Sequence, residues 1–292
     1  MTGRADLQAW VGRTETRSDF VAAGPIDRLA ATLDRHDPPA RPGEPIPPLA
    51  HWLFFLPDTP QSELGPDGHP ARGGFLPPVH DLPRRMWAGG RLRLHAPIRV
   101  GMPIARRSTI GEIAAREGAS GPLVFVTVRH EVHAAGDGTP LLVEEQDIVY
   151  RGTDAPAARA ATPAPQGVWQ ARMVPDAVLL FRYSALTFNG HRIHYDLRYL
   201  TEVEHYPGPI VHGPLIATLL MNLLHRMLPG AAVTAFSFRA VSPLFAGNAL
   251  TLHGTPPDAQ GRVALWAAND TGGLAMRAEA TIRADDSGVN ER

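Results

Sequence analysis

Apolar and polar positions along this chain fall into two similar runs, each with one apolar stretch of helical character followed by several stretches that read as strands. In the first run the helix candidate is Leu49-Ala50-His51-Trp52-Leu53-Phe54-Phe55-Leu56, entered through Pro47-Pro48. Strands are expected after it over 91–100, 106–116, 123–134 and 141–151. Leu123-Val124-Phe125-Val126-Thr127-Val128 is β-branched and aromatic, as a buried strand should be. In the second run an apolar segment over 215–228 follows Pro214, which suits a first helical position. Strands are expected there over 234–241, 249–254, 262–269 and 274–283. Gly136-Asp137-Gly138 and Asn269-Asp270-Thr271-Gly272-Gly273 read as hairpin turns between such strands. The order predicts an α+β protein made of two antiparallel sheets, each wrapped around a central long helix.

The runs are separated by a small, proline-rich stretch without apolar periodicity, the signature of an extended connector. The expected organisation is an N-terminal unit over 1–151, a Pro/Ala-rich linker over 152–165, a C-terminal unit over 166–285 and a tail over 286–292. Residues 57–80 form a long polar insertion, and long loops often cover substrates.

Composition removes several chemistries. The chain has no cysteine, and all 28 of its basic residues are arginine. Thiol nucleophiles, disulfides, cysteine metal sites, lysine Schiff bases and a P-loop lysine are therefore excluded. A formal net charge of −1 gives no overall field to attract nucleic acid. No uninterrupted apolar run is long enough to span a membrane, and the polar N-terminus lacks the apolar core of a secretion signal. A cytoplasmic protein is the expectation.

The densest chemistry lies over 181–215. Asn189, His191, His194 and Asp196 stand within eight residues, followed by Val211-His212-Gly213-Pro214 at the start of the second helix. A helix N-terminus with free N–H groups stabilises charge that builds on a carbonyl oxygen during reaction. Proton-transfer groups beside such a terminus predict acid/base chemistry on an activated carbonyl. Asn189 can orient a ligand but cannot act as a base, because its amide does not titrate. Asp196 reads either as a base or as a turn anchor, and Gly213 either as an oxyanion donor or as a packing residue. Ser184, Thr187 and His212 have ordinary structural readings as turn or helix-mouth residues. His51 and Trp52 read as helix core or as the lining of an acyl tunnel. Metal binding is the rival for the histidines, but Asn189-Gly190 is a turn signal rather than helix interior, and no HExxH pattern occurs.

These motifs resemble a known family. Phe188 to Asp196 reads F-N-G-H-R-I-H-Y-D, Arg84 to Gly90 reads R-R-M-W-A-G-G, and Glu144 to Arg151 reads E-E-Q-D-I-V-Y-R. Together with the V-H-G helix start they are similar to MaoC-like double-hotdog hydratases and dehydratases. The match is closest to the subgroup of mesaconyl-C4-CoA hydratase, itaconyl-CoA hydratase and mitochondrial-type 3-hydroxyacyl-thioester dehydratases.

The resemblance implies a double hotdog fold and reversible hydration of an enoyl-CoA, with a small branched dicarboxylyl-CoA as the favoured substrate. It implies His194 as general acid/base, Gly213 as oxyanion donor, and no cofactor beyond coenzyme A as part of the substrate. Asn189, His191 and Asp196 complete the expected catalytic set. His212, Thr187, Arg192, Arg182 and Arg198 are the expected substrate-binding residues, the arginines for CoA phosphates or an acyl carboxylate. The family's aspartate is missing, since Thr187 stands in its place; His191 or Asp196 is left to fill the role. The second half is expected to carry all the proton-transfer groups. A 3-hydroxyacyl-ACP dehydratase, a hotdog thioesterase, a non-catalytic acyl-CoA-binding module and a homodimer stay open at this point.

Overall fold

The computed structural model describes residues 4–118, 121–153 and 161–283. The proposed tail and half of the linker, 154–160, lie outside them.

The first half contains α1 (Arg4–Gln8), β1 (Thr14–Phe20), α2 (Ala23–Thr32), β2 (Arg84–Leu94), β3 (Pro103–Gly118), β4 (Gly121–Ala134) and β5 (Pro140–Arg151). The second contains β6 (Trp169–Met173), α3 (Ala177–Leu186), α4 (Leu197–Glu202), α5 (Gly213–Met227), β7 (Val233–Ala240), β8 (Leu250–Gly254), β9 (Arg262–Ala268) and β10 (Leu274–Ile282). All ten strands join one antiparallel sheet in the order β1-β3-β4-β5-β2-β7-β10-β9-β8-β6. Both glycine-rich turns expected from sequence close hairpins, β4–β5 and β9–β10.

The seam between the halves is the pairing of β2 with β7, where Gly89 faces Arg239 and Gly90 faces Phe238. A Cβ on Gly89 would lie 2.5 Å from the Phe238 carbonyl oxygen, so only glycine lets the two strands meet there. The A-G-G of the R-R-M-W-A-G-G motif is thus explained by the joining of the sheets.

Helix α5 fits its predicted place. It packs against β2, β6, β8, β9 and β10, and residues from Leu215 to Leu224 are buried on nearly every side. One apolar cluster runs through both halves, joining Leu92, Ile104, Val132 and Leu142 to Leu215, Leu220 and Leu224.

The first-half helix expected over 49–56 does not form. Only a 3-10 turn, Ala50–Leu53, is present, and the chain takes left-handed backbone at Leu49 (φ 70) and Phe55 (φ 56) on either side of it. Pro48 before and Pro57 after leave room for barely two turns, too short for a helix to hold by itself. The long helix of this half is instead α2, whose Ile26, Leu29 and Ala30 are buried against the 3-10 turn and α3. Strands β1 and β6, both at sheet edges, were also not anticipated.

Candidate active site

The second-half segment is built from successive turns. Asp176 caps α3 by accepting the Leu179 N–H at 2.8 Å. Thr187 ends the helix, with its hydroxyl donating back to the Tyr183 carbonyl at 2.8 Å. Phe188 then takes a left-handed conformation (φ 47), and the Asn189 Oδ1 accepts the His191 N–H at 3.0 Å. A 3-10 turn, Arg192–His194, follows. Asp196 caps α4 through the Tyr199 N–H at 3.0 Å and pairs with Arg192 at 2.7 Å. Its carboxyl is held below the usual range by the Tyr199 bond and then by Arg192.

The chain returns beside this turn: Ile210 N–H donates to the Ile193 carbonyl, and Val211 N–H to Leu244. His194 Nδ1 donates to the Ile210 carbonyl at 2.7 Å. A carbonyl can only accept, so the neutral ring carries its proton on Nδ1 and presents a lone pair at Nε2. His212 caps α5 and stacks on His194, with ring centroids 3.6 Å apart and planes 19° apart. Its Nε2 lies 2.8 Å from the Ser184 hydroxyl, and its buried Nδ1 has no hydrogen-bond partner. Gly213 is the first residue of α5, so its N–H has no intrahelical acceptor. A Cβ there would meet the Trp87 carbonyl oxygen at 3.8 Å, an ordinary contact, so tight packing is not what calls for glycine.

The first half reaches into this cluster through the 57–80 loop. Its tip docks where Gly68 (φ 86) meets Gly190; a Cβ on Gly68 would sit 2.0 Å from the Gly190 carbonyl oxygen. Arg192 N–H donates to the Asp67 carbonyl, and Arg192 Nη1 to the Pro66 carbonyl, each at 2.9 Å. The docked tip carries Asp67, which accepts His69 Nδ1 at 3.1 Å and the His69 N–H at 3.0 Å. The His69 ring lies 4.1 Å from that of His191, which stands 5.5 Å from His194. Four imidazoles therefore run in a row from the loop to the mouth of α5.

Burial lowers all four basicities, and the rings reinforce one another. His194 is pushed down to about 4 by burial, against which its Ile210 bond works. His191 falls lower still through burial and then the repulsion of His69, His194 and Arg85. His212 is held down by burial and His194, and His69 by burial against the opposing pull of Asp67. At neutral pH the row is uncharged and able to accept protons.

Asp67, His69 and His191 offer ligand atoms within 4.8 Å of one another. Both Asp67 oxygens already accept from His69, and Arg85 and Arg72 raise the positive potential at the same place. That occupancy and that positive potential both work against a dication at this set.

Of the expected substrate-binding residues, His212 joins the cluster, while Thr187 is spent on ending α3. Arg192 is engaged by Asp196 and lies over the Tyr199 ring at 4.2 Å. Arg198 is exposed and paired with Glu202 at 3.0 Å, and Arg182 is exposed on α3. None of these three arginines lines the crevice beside His191, which is bordered by Asp67, Arg85, Met86 and the buried pair Arg84–Glu204. The second-half cluster is joined in the structure by two titratable groups of the first half, Asp67 and His69. The available signal was Asp67-Gly68, a turn pair inside a loop already marked as a cover.

Residues 49–246, more than half of the chain, match the family model for hydroxyacyl-thioester dehydratase type 2. A mesaconyl-C(4)-CoA hydratase of Chloroflexus aurantiacus is 44% identical over 288 residues, covering 92% of this chain and 99% of that protein. A MaoC-like dehydratase from Phytophthora capsici matches with a TM-score of 0.68 at 15% identity, covering 95% of this chain and 97% of the other. A Mycobacterium tuberculosis protein described as a double hotdog matches with a TM-score of 0.55 at 17% identity, covering 94% and 96%. Those two structures speak to the fold alone. The sheet joined at β2–β7 and the family match lead to one conclusion: the chain belongs to the hydroxyacyl-thioester dehydratase type 2 family, folds as a double hotdog and is an acyl-thioester hydro-lyase.

Proposed function

We propose that this enzyme adds water reversibly across the double bond of a small branched dicarboxylyl-CoA thioester, of the mesaconyl-C4-CoA type. The observation that carries the mechanism is the tautomer of His194: its Nδ1 is committed to Ile210, which leaves Nε2 as a buried base. A thioester carbonyl withdraws electrons from its conjugated double bond, so water adds at Cβ once the enolate oxygen is stabilised. His194 Nε2 takes a proton from that water as it attacks, and the same proton is available for Cα. The Gly213 N–H at the start of α5 holds the developing oxyanion, a contribution of up to about 3–4 kcal/mol for a single donor.

His191, backed by the Asp67–His69 pair, takes the place of the aspartate that Thr187 replaces, holding the water in line. Asn189 acts one step back, by fixing the turn that presents His191. Asp196 is a turn anchor in this scheme. The same groups run the reverse dehydration. The dicarboxylic substrate is supported by the 44% identical relative and by the excess of arginine over carboxylate around the histidines. The second half supplies the base and the oxyanion donor, and the first half serves in substrate binding and in supporting His191 through Asp67 and His69.

The test is ultraviolet absorbance of the enoyl thioester, followed together with release of free thiol. Bleaching without thiol release is the expected result for mesaconyl-C4-CoA. Thiol release at the rate of bleaching would make the enzyme a thioesterase and overturn the reading.

A further inference from the structure

The crevice beside His191 holds a cation with no anion of its own. Arg85, on β2, is half-buried there near Asp67; it hydrogen-bonds the Tyr150 hydroxyl and makes no ion pair among the described residues. Its neighbour Arg84, by contrast, is buried and ion-paired with the Glu204 carboxylate at 2.7 Å. Arg72, also close, spends its guanidinium on the carbonyls of Val79, Leu82 and Pro83. Asp67 is close enough to feel the charge of Arg85, but its two oxygens are occupied by His69. Counted together, the crevice carries Arg85 and Arg72 against Asp67, with Arg84 and Glu204 cancelling, so it has an unanswered positive charge.

A guanidinium is the side chain best matched to a carboxylate, because its fork donates two parallel N–H bonds. In a dicarboxylyl thioester of the proposed type, the free carboxylate sits on Cβ, the atom that receives water. A group that binds this carboxylate must therefore stand next to the water-holding histidine, as Arg85 stands next to His191.

We infer that Arg85 is the residue that selects a carboxylate-bearing acyl chain, pairing with the acyl carboxylate while water is added beside it. The inference rests on the hydratase reading. It moves the role expected of Arg182, Arg192 and Arg198 to an arginine of the other half, delivered across the β2–β7 seam. Arg85 is also the first residue pointing to why the two halves must be joined for specificity as well as for fold.

The experiment compares mesaconyl-C4-CoA with 3-methylcrotonyl-CoA, in which a methyl group stands where the carboxylate was, in wild type, Arg85→Ala and Arg85→Lys. Charge-assisted bonds of this kind correspond to about 10- to 100-fold in kcat/KM. The ratio of kcat/KM for the carboxylate substrate over the methyl substrate should fall by that factor in Arg85→Ala. It should fall less in Arg85→Lys, which keeps the charge and loses the fork. A parallel loss on both substrates means that Arg85 only balances Asp67 and His69, and overturns the inference. So does an unchanged ratio. Should Arg85→Ala fail to fold, Arg85→Lys carries the same comparison. Wild-type hydration of the methyl substrate with no preference for the carboxylate would sink the selectivity claim and leave the hydratase reading standing. No hydration of any enoyl thioester would sink both.

Discussion

Two buried histidine clusters can be compared directly, one in each half. In the first half, His51 Nε2 meets Glu144 Oε2 and Trp52 Nε1 donates to Glu144 Oε1, each at 3.0 Å. His130 joins them across the strands, with Nδ1 at 2.8 Å from the Ser108 hydroxyl and Nε2 at 3.2 Å from Gln146 Oε1. Burial pushes the Glu144 carboxyl up, but the bond from His51 and the nearby charges more than offset this, so it stays below its ordinary value. In the second cluster the ends are open. Among the described residues, His194 Nε2, His69 Nε2 and both ring nitrogens of His191 have no hydrogen-bond partner, and neither does His212 Nδ1. Of these, His212 Nδ1 is fully buried, and a buried polar atom without a partner costs free energy. The first cluster, whose Glu144 oxygens and His130 nitrogens all have partners, holds the first-half sheet to its 3-10 turn; the open one is the site proposed for chemistry.

Breaking the first cluster should have the largest effect, and on stability. Glu144→Ala strands His51 and Trp52 in the core, which should cost about 3–5 kcal/mol in denaturant unfolding. Turnover per folded molecule should be largely kept. A variant as stable as wild type would mean that the network is not structural, and the contrast between the clusters would collapse.

Asp67→Asn tests the first-half contribution to the open cluster. It weakens the hold on His69 and therefore on His191, and a misplaced group of this kind costs up to about 10²-fold in kcat. Arg192 bonds the Asp67 backbone and not its side chain, so the loop should remain docked. Unaltered kcat would return Asp67 and His69 to a purely structural role.

The smallest change is a pH effect. His194 must be neutral to act as a base, and burial holds it at about 4. The acid limb of kcat/KM should then lie near pH 4, well below the ordinary imidazole value of about 6.5. Stability behaves differently. His130 and His194 both sit at about 4 when folded, so the unfolded chain takes up protons first as pH falls. Stability should be full above about pH 6.5 and decline between there and about pH 4. An acid limb near 6.5 would show that the active base is an exposed group outside this cluster.

How much of this could be read from the chain follows the same division. Most strands of alternating or continuous apolar character stand close to where the pattern puts them, but the one expected over 91–100 lies earlier, at Arg84–Leu94. β1, Thr14–Phe20, was missed because T-E-T-R-S-D-F has almost no apolar face, and it forms by pairing with β3 at an edge. The helix expected over 49–56 does not form, because apolar content alone does not make helical character where flanking prolines and left-handed turns allow a single 3-10 turn. His191, His194 and His212 were legible because they lie close together in the chain, and a short return segment brings them into contact. Asp67, His69 and Arg85 were not, because more than a hundred residues separate them from that segment. The Gly68–Gly190 contact, the Arg192 bonds to the Asp67 and Pro66 carbonyls and the β2–β7 pairing bring them there.

The central claim is that the open histidine cluster is catalytic, with His194 Nε2 as its base. Turnover of purified His194→Ala on the enoyl thioester, measured on protein whose unfolding midpoint matches wild type, tests it most directly. The account predicts a loss of at least about 10²-fold, the low end for a general acid/base group. Near-normal turnover by the folded variant would contradict it.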